Sequence, residues 1–168
     1  MPVVFLGFGS NLGDRKGFIE TAVSLVNERI GRVLSRSSFY DSEPWGFVSD
    51  NAFVNAAASV ETSLEPTAVL ERIKSIEREL GRVKKLSDGY EDRPIDIDIL
   101  FYDDAVIDLP TLTVPHPLMP MRRFVLEPLA EIAPDFVHPV LKRSVAELLR
   151  DLTGDERGRA ANEVEVLS

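Results

Sequence analysis

The stretch that most constrains this chain is Arg93-Pro94-Ile95-Asp96-Ile97-Asp98-Ile99-Leu100-Phe101. From Ile95 onward isoleucines alternate with carboxylates, and a period of two marks a strand whose faces meet different surroundings. Asp96 and Asp98 then share one face, roughly 6–7 Å apart at Cα, while Ile95, Ile97 and Ile99 share the other. Two carboxylates so placed suit one divalent cation, or a pair about 3.5–4 Å apart. The competing account is a solvated edge face, against which stand the poor strand propensity of Asp and the mutual repulsion of like charges. These residues alone leave both open.

Composition narrows the field. The chain has 168 residues, 44% of them apolar, with a formal charge of −9 and no cysteine. That is ordinary for one soluble domain, so we expect a single domain over residues 1–168. The absence of cysteine excludes disulfides, zinc thiolates and thiol nucleophiles. No apolar run approaches a membrane span, so no membrane partner is expected and the location expected is cytoplasmic. An acidic chain is a poor general nucleic-acid binder.

In chain order, Pro2 to Phe8 predicts a central strand, and the glycines at its end and beyond (Gly7, Gly9, Gly13) predict turn-makers more than a phosphate cradle. Phe18, Ile19, Ala22, Val23, Val26 and Ile30 share a face of a helix over Arg15–Ile30, with Asp14 as cap and Gly31 past its end. Val33–Tyr40 and Phe53–Glu61 predict a second and third strand, separated by a loop that carries Trp45. Asn55, between Val54 and Ala56, is a polar intrusion that must be hydrogen-bonded if buried. Pro66, Val69, Ile73, Ile76, Leu80 and Gly81 outline a second helix.

The polar stretch from Gly81 to Pro94 has no periodicity, and long loops in compact domains tend to be functional or disordered. It holds Arg82, Lys84, Lys85, Tyr90 and Arg93. Beyond the carboxylate strand, Asp103-Asp104 predicts a turn and Ala105–Ile107 a short strand. Val114-Pro115-His116-Pro117 holds a histidine between two prolines, which restrict its backbone. Met121–Leu129 predicts a helical or turn segment, Ser144–Leu152 an amphipathic helix, and the tail from Thr153 a frayed end. The order strand–helix–strand–strand–helix–strand predicts an α+β, ferredoxin-like βαββαβ antiparallel sheet, with helices packed on one face and a C-terminal helical extension. Such a fold leaves function open.

The motifs carry a resemblance. Gly9-Ser10-Asn11-Leu12-Gly13-Asp14, Ser37-Ser38-Phe39-Tyr40, Phe53-Val54-Asn55-Ala56-Ala57, Leu80-Gly81-Arg82, Arg93-Pro94-Ile95-Asp96-Ile97-Asp98, Val114-Pro115-His116-Pro117, Arg122-Arg123-Phe124 and Glu131-Ile132-Ala133-Pro134 occur in that order. From about Val3 to Pro139 the chain thus resembles the 6-hydroxymethyl-7,8-dihydropterin pyrophosphokinase family of folate biosynthesis. The resemblance implies transfer of pyrophosphate from ATP to the pterin hydroxymethyl oxygen, with AMP released. It implies Asp96 and Asp98 as ligands of two Mg²⁺ ions, and Arg82 and Arg93 as catalytic arginines on a closing lid. It also implies His116, Arg122, Ile99, Leu112, Thr113, Lys74 and Glu77 around ATP. Around the pterin it places Asn55, Phe53, Phe124, Trp45 and Tyr90. ATP and the pterin are the expected partners, with the chain a monomer or weak dimer. Tyr90 stands where the family often has tryptophan, Lys74 where an amide occurs, Pro117 where an aromatic can follow the histidine, and Trp45 where a smaller apolar residue can occur.

Overall fold

The computed structural model describes residues 1–42, 53–81, 94–155 and 164–167. Trp45, Arg82, Lys84, Lys85, Tyr90 and Arg93 lie outside the described residues.

Strand β1 (Val3–Ser10) leads into helix α1 (Arg15–Arg29), whose N-cap Asp14 accepts from the Gly17 N–H at 3.2 Å. Gly7 and Gly9 belong to β1 itself, so the expectation of turn-making glycines fails for those two. The stretch predicted as one strand over Val33–Tyr40 is two, β2 (Arg32–Arg36) and β3 (Phe39–Ser42), both antiparallel to β4 (Phe53–Glu61). The break lies at Ser37, whose Oγ replaces a strand carbonyl as acceptor for the Ala57 N–H at 2.9 Å. Helix α2 (Pro66–Glu79) has proline in its first turn and ends at Leu80, with Gly81 at φ +111°, a conformation glycine adopts without a Cβ penalty.

The carboxylate strand is β5 (Asp96–Tyr102). Sheet order is β5-β1-β4-β3, with β2 also on β4, and every pairing is antiparallel. The expected strand at Ala105–Ile107 sits two residues later, as β6 (Ile107–Leu109), because its partner β7 (Leu112–Val114) fixes the hairpin register. A 3₁₀ turn (Met119–Met121) precedes α3 (Arg123–Ile132), and α4 (Val145–Asp155) comes next. Ser144 and Glu147 form a reciprocal capping box at the start of α4, with bonds of 2.8 and 3.1 Å. The tail expected to fray from Thr153 does not do so where it is described. Thr153–Asp155 are helical, and β8 (Val164–Leu167) pairs with β3 at the sheet edge.

Strand alternation divides the core in two. Val4, Leu6 and Phe8 of β1, with Ile97 and Ile99 of β5, pack under Ile19, Ala22 and Val26 of α1 and Val69, Ile73 and Ile76 of α2. Phe5 and Phe101 face the other way, against Leu126 and Leu129 of α3 and Val145 and Leu148 of α4. The C-terminal helices are therefore what closes the second face of the sheet, over part of its length. The site lies on this second face, where glycines and polar residues take over from the aromatics.

Candidate active site

Asp96 and Asp98 are half-buried on the second face, while Ile95, Ile97 and Ile99 are buried beneath α1 and α2. The period-two expectation therefore describes this strand as far as Ile99. There the alternation stops: Phe5 pairs with Phe101 and Leu6 with Ile99, so Leu100 is an extra residue on β5, a β-bulge. Bulges re-aim local groups, and the Leu100 carbonyl accepts the His116 N–H at 3.1 Å. The Leu100 side chain turns to the second face, where a Cβ on Gly7 would lie 3.4 Å from it.

The bond to the Leu100 carbonyl brings His116 to the carboxylates, with its Nε2 4.0 Å from Asp98 Oδ1. Nδ1 accepts the Leu118 N–H at 3.2 Å, so the neutral ring carries its proton on Nε2, directed to the carboxylate side. Burial holds the His116 pKa below its ordinary value; Arg122 pushes it the same way and Asp96 opposes. His116 is accordingly neutral at pH 7, and the 4.0 Å approach to Asp98 is a polar contact rather than an ion pair. Arg122, at the N-cap of α3, lies over the Phe124 ring at 5.6 Å.

Cross-strand register sets the width of the site. Asp96 pairs with Gly9, Gly9 with Asn55, and Asn55 with Tyr40; one row further on, Asp98 pairs with Gly7 and Gly7 with Ala57. Paired residues share a face. The acidic strand and the Asn55 strand are therefore separated by two glycines; Leu100 covers Gly7, and at Gly9 the missing side chain leaves a furrow between them. Asn55, 5% exposed, and half-buried Phe53 lean over that furrow: a Cβ at Gly9 would lie 3.2 Å from Asn55 Oδ1 and 3.5 Å from the Phe53 ring. Neither glycine is among the site residues expected from the sequence, although a Gly-x-Gly strand of matching period is the signal available.

Glu77, on α2, is 5% exposed and accepts the Ile97 N–H at 2.8 Å, which pins β5 between its two aspartates. Lys74, one turn earlier, is exposed. Ile99 and Leu112 are buried in the core beneath α2, and Thr113 is exposed on β7. A separate cavity of ≈ 270 Å³ lies beside His116, between Val106, Pro115, Pro120, His138 and Leu141. It includes neither the carboxylates nor Asn55 or Phe124, so it is distinct from the furrow. Among the described residues no three His, Cys, Asp or Glu side chains converge as a metal cage. Two carboxylates alone suit Mg²⁺, which commonly takes one or two protein carboxylates and completes its shell with phosphates and water.

The family model described as 7,8-dihydro-6-hydroxymethylpterin-pyrophosphokinase (HPPK) matches residues 5–134. The chain belongs to this family. It is an enzyme of the HPPK type, a pyrophosphokinase of folate biosynthesis. Over 141 residues it is 45% identical to the 2-amino-4-hydroxy-6-hydroxymethyldihydropteridine pyrophosphokinase of Porphyromonas gingivalis, covering 83% of this chain and 95% of that protein. It is 40% identical over 147 residues to the Aquifex aeolicus protein of the same name, covering 88% and 90%. The folic acid synthesis protein fol1 of Schizosaccharomyces pombe is 39% identical over 151 residues, which are 89% of this chain but 20% of that protein. Among solved structures, an HPPK-DHPS in complex with substrates superposes with a TM-score of 0.75 at 16% identity, over 99% of this chain and 48% of that one. At that identity the likeness speaks for the HPPK fold alone, and this chain spans about half of the larger molecule. No helix among the described residues is long and apolar enough to cross a membrane.

Proposed function

We propose that this enzyme transfers the terminal pyrophosphoryl group of ATP to the hydroxymethyl oxygen of 6-hydroxymethyl-7,8-dihydropterin, in a Mg²⁺-dependent reaction. The pterin oxygen forms a bond to the β-phosphorus, the bond from that phosphorus to the α–β bridging oxygen breaks, and AMP leaves while the hydroxyl proton passes to solvent. The observation that carries this reading is the glycine furrow, with carboxylates on one side and a ring-and-amide pair on the other. Paired strand residues lie roughly 4.5–5.5 Å apart, so Asp96 and Asn55 stand about 10 Å apart across Gly9. That is the span of a fused bicyclic ring and its hydroxymethyl arm.

Asn55 offers both a donor and an acceptor to the pterin's amino-pyrimidine edge, and Phe53 and Phe124 offer ring faces. Asp96 and Asp98 would hold Mg²⁺, which when bound neutralises triphosphate charge and lowers the pKa of a hydroxyl at the metal. Neutral His116 donates its Nε2 proton to a phosphate oxygen without adding a second cation beside Arg122, whose guanidinium supplies the positive charge. Arg82 and Arg93 both precede the carboxylate strand in sequence and are assigned to charge developing on the phosphates. The order β5-β1-β4-β2/β3, all antiparallel, supports the ferredoxin-like description of the sheet.

Incubation with ATP, the pterin and Mg²⁺ tests this directly. AMP and pterin diphosphate should appear in equal amounts, and EDTA should stop both. AMP without pterin diphosphate would point instead to a metal-dependent nucleotide hydrolase.

A further inference from the structure

Glu131, in the last turn of α3, takes no part in the proposed chemistry, yet it binds one strand at several points. Its two carboxylate oxygens each accept the Ser38 N–H at 3.0 Å, and they also accept the Ser38 hydroxyl at 3.1 Å and the Tyr40 hydroxyl at 2.7 Å. Only a carboxylate can accept from all three donors without presenting a hydrogen of its own. The contact falls where β2 gives way to β3 and regular pairing with β4 is interrupted at Ser37. Glu131 is thus the anchor for the start of β3.

The anchored strand reaches the furrow wall. Tyr40 pairs with Asn55, and Ser42 pairs with Phe53, the two residues that form that wall. Burial and the Glu131 carboxylate together keep the Tyr40 phenol protonated, hence a donor, at any ordinary pH. At its other end α3 carries Arg122 at its N-cap and Phe124 in its first turn, the latter the ring assigned above to the second face of the pterin. A ten-residue helix spans about 15 Å, so fastening β3 to its last turn ties the Asn55 wall to the helix that carries Phe124.

We propose that Glu131 is a positioning residue that sets the width of the pterin slot by clasping β3 to α3. This rests on reading the furrow as that slot. A clasp that served stability alone would act on neither substrate selectively, whereas a positioning residue acts on the pterin and spares ATP.

Steady-state kinetics on Glu131→Gln, Ser38→Ala and Tyr40→Phe, with melting temperatures recorded alongside, separates the two. Glu131→Gln should raise the KM for the pterin on the order of 10-fold, within the range by which small misplacements act, and leave the KM for ATP within about twofold. Ser38→Ala and Tyr40→Phe each remove one donor and should move the pterin KM less, in the same direction; they also serve if Glu131→Gln fails to fold. A lowered melting temperature with both KM values unchanged would overturn the proposal, as would equal rises for both substrates. Wild-type protein that transfers no pyrophosphate would defeat the proposed function, and this proposal with it. An active wild type with a Glu131→Gln variant of unchanged pterin KM would defeat this proposal alone.

Discussion

Replacing Gly9 by alanine tests the furrow most directly. The added methyl would sit 3.2 Å from Asn55 Oδ1, a spacing tighter than most real Cβ contacts, and 3.5 Å from the Phe53 ring. Backbone strain is not at issue, because Gly9 is an ordinary strand residue without positive φ. Alanine at a compatible position restricts the unfolded chain and stabilises by about 0.4–1 kcal/mol. The crowding acts in the other direction, so stability should change by less than about 1 kcal/mol, or about 2–4 °C in melting temperature for a chain of this size. Function is more sensitive. Asn55 must shift by a few tenths of an ångström or rotate, which weakens or breaks the hydrogen bond proposed to the pterin's ring edge. One such bond is worth about 0.5–1.5 kcal/mol, equivalent to an increase in pterin KM of about 2- to 12-fold. The assay measures AMP release with pterin varied at saturating MgATP, then with ATP varied at saturating pterin. The ATP KM should stay at its wild-type value. A variant with unchanged pterin KM, or one whose ATP KM rises instead, would refute the placement of the pterin over Gly9.

The same geometry bears on other residues. Asp96→Ala and Asp98→Ala each remove a proposed metal ligand, and kcat/KM should fall by more than about 10²-fold, given that even outer-shell losses cost 10- to 100-fold; Mg²⁺ titration of the residual activity should show weaker apparent metal binding. Arg93→Ala should lower kcat on the order of 10³-fold, in line with other arginines that stabilise phosphoryl-transfer charge, while wild-type turnover would remove it from the catalytic set. His138 is buried against Phe101, its Nδ1 accepting the Val140 and Leu141 N–H groups, and burial lowers its pKa. In the unfolded chain it titrates near about 6.5, so between that value and its lower folded value the unfolded state binds the extra proton. Its contribution to stability is therefore complete above pH about 6.5 and is lost as pH falls toward the folded pKa. Denaturant midpoints from pH 7.5 to 5 should drop more for wild type than for His138→Gln, and parallel curves would contradict this.

Local chemistry is the part of this fold that is legible in the sequence. Phe53–Glu61 can be read to the residue because a strand buried from Val54 to Val60 carries its own boundaries. Asp14 and Pro66 mark the helix starts in the same way, and the Ile–Asp alternation places the carboxylates on their face. The break between β2 and β3 is not legible. It is made by the Ser37 hydroxyl and by Glu131, 93 residues away, acting on a segment of good strand propensity. Nor is the pairing of Val164–Leu167, since a short strand at an edge depends on the partner it meets rather than on its own composition. In the site, His116 is identifiable as a stiffened histidine, but its approach to Asp98 depends on a bulge at Leu100 that no local pattern announces. The glycines mislead for a related reason: in a turn their use is backbone freedom, whereas here Gly7 admits the Leu100 side chain and Gly9 leaves space beneath Asn55 and Phe53.

Whether two aspartates on one strand need a cation to be tolerated is decided by magnitudes. Even if both are fully charged, groups roughly 6.5 Å apart repel by about 2.5 kcal/mol at an effective dielectric of about 20, and by less than about 1 kcal/mol in water. Poor strand propensity adds at most about 1 kcal/mol per residue. Against this, Ile95, Ile97 and Ile99 are 0%, 5% and 4% exposed, and burial of each such side chain contributes about 1.5–3 kcal/mol. The far face of β5 therefore outweighs its acidic face without help from metal, and the Glu77 bond to the Ile97 N–H adds to the margin. The strand forms without cations, whether or not they bind its acidic face. Metal-free protein should accordingly melt within about 2 °C of protein in millimolar Mg²⁺ when no nucleotide is present, a difference of about 1 kcal/mol or less. A drop of about ten degrees in EDTA, several times what 1 kcal/mol produces in a chain of this size, would mean that the metal is part of the fold and that this ordering of the energies is wrong.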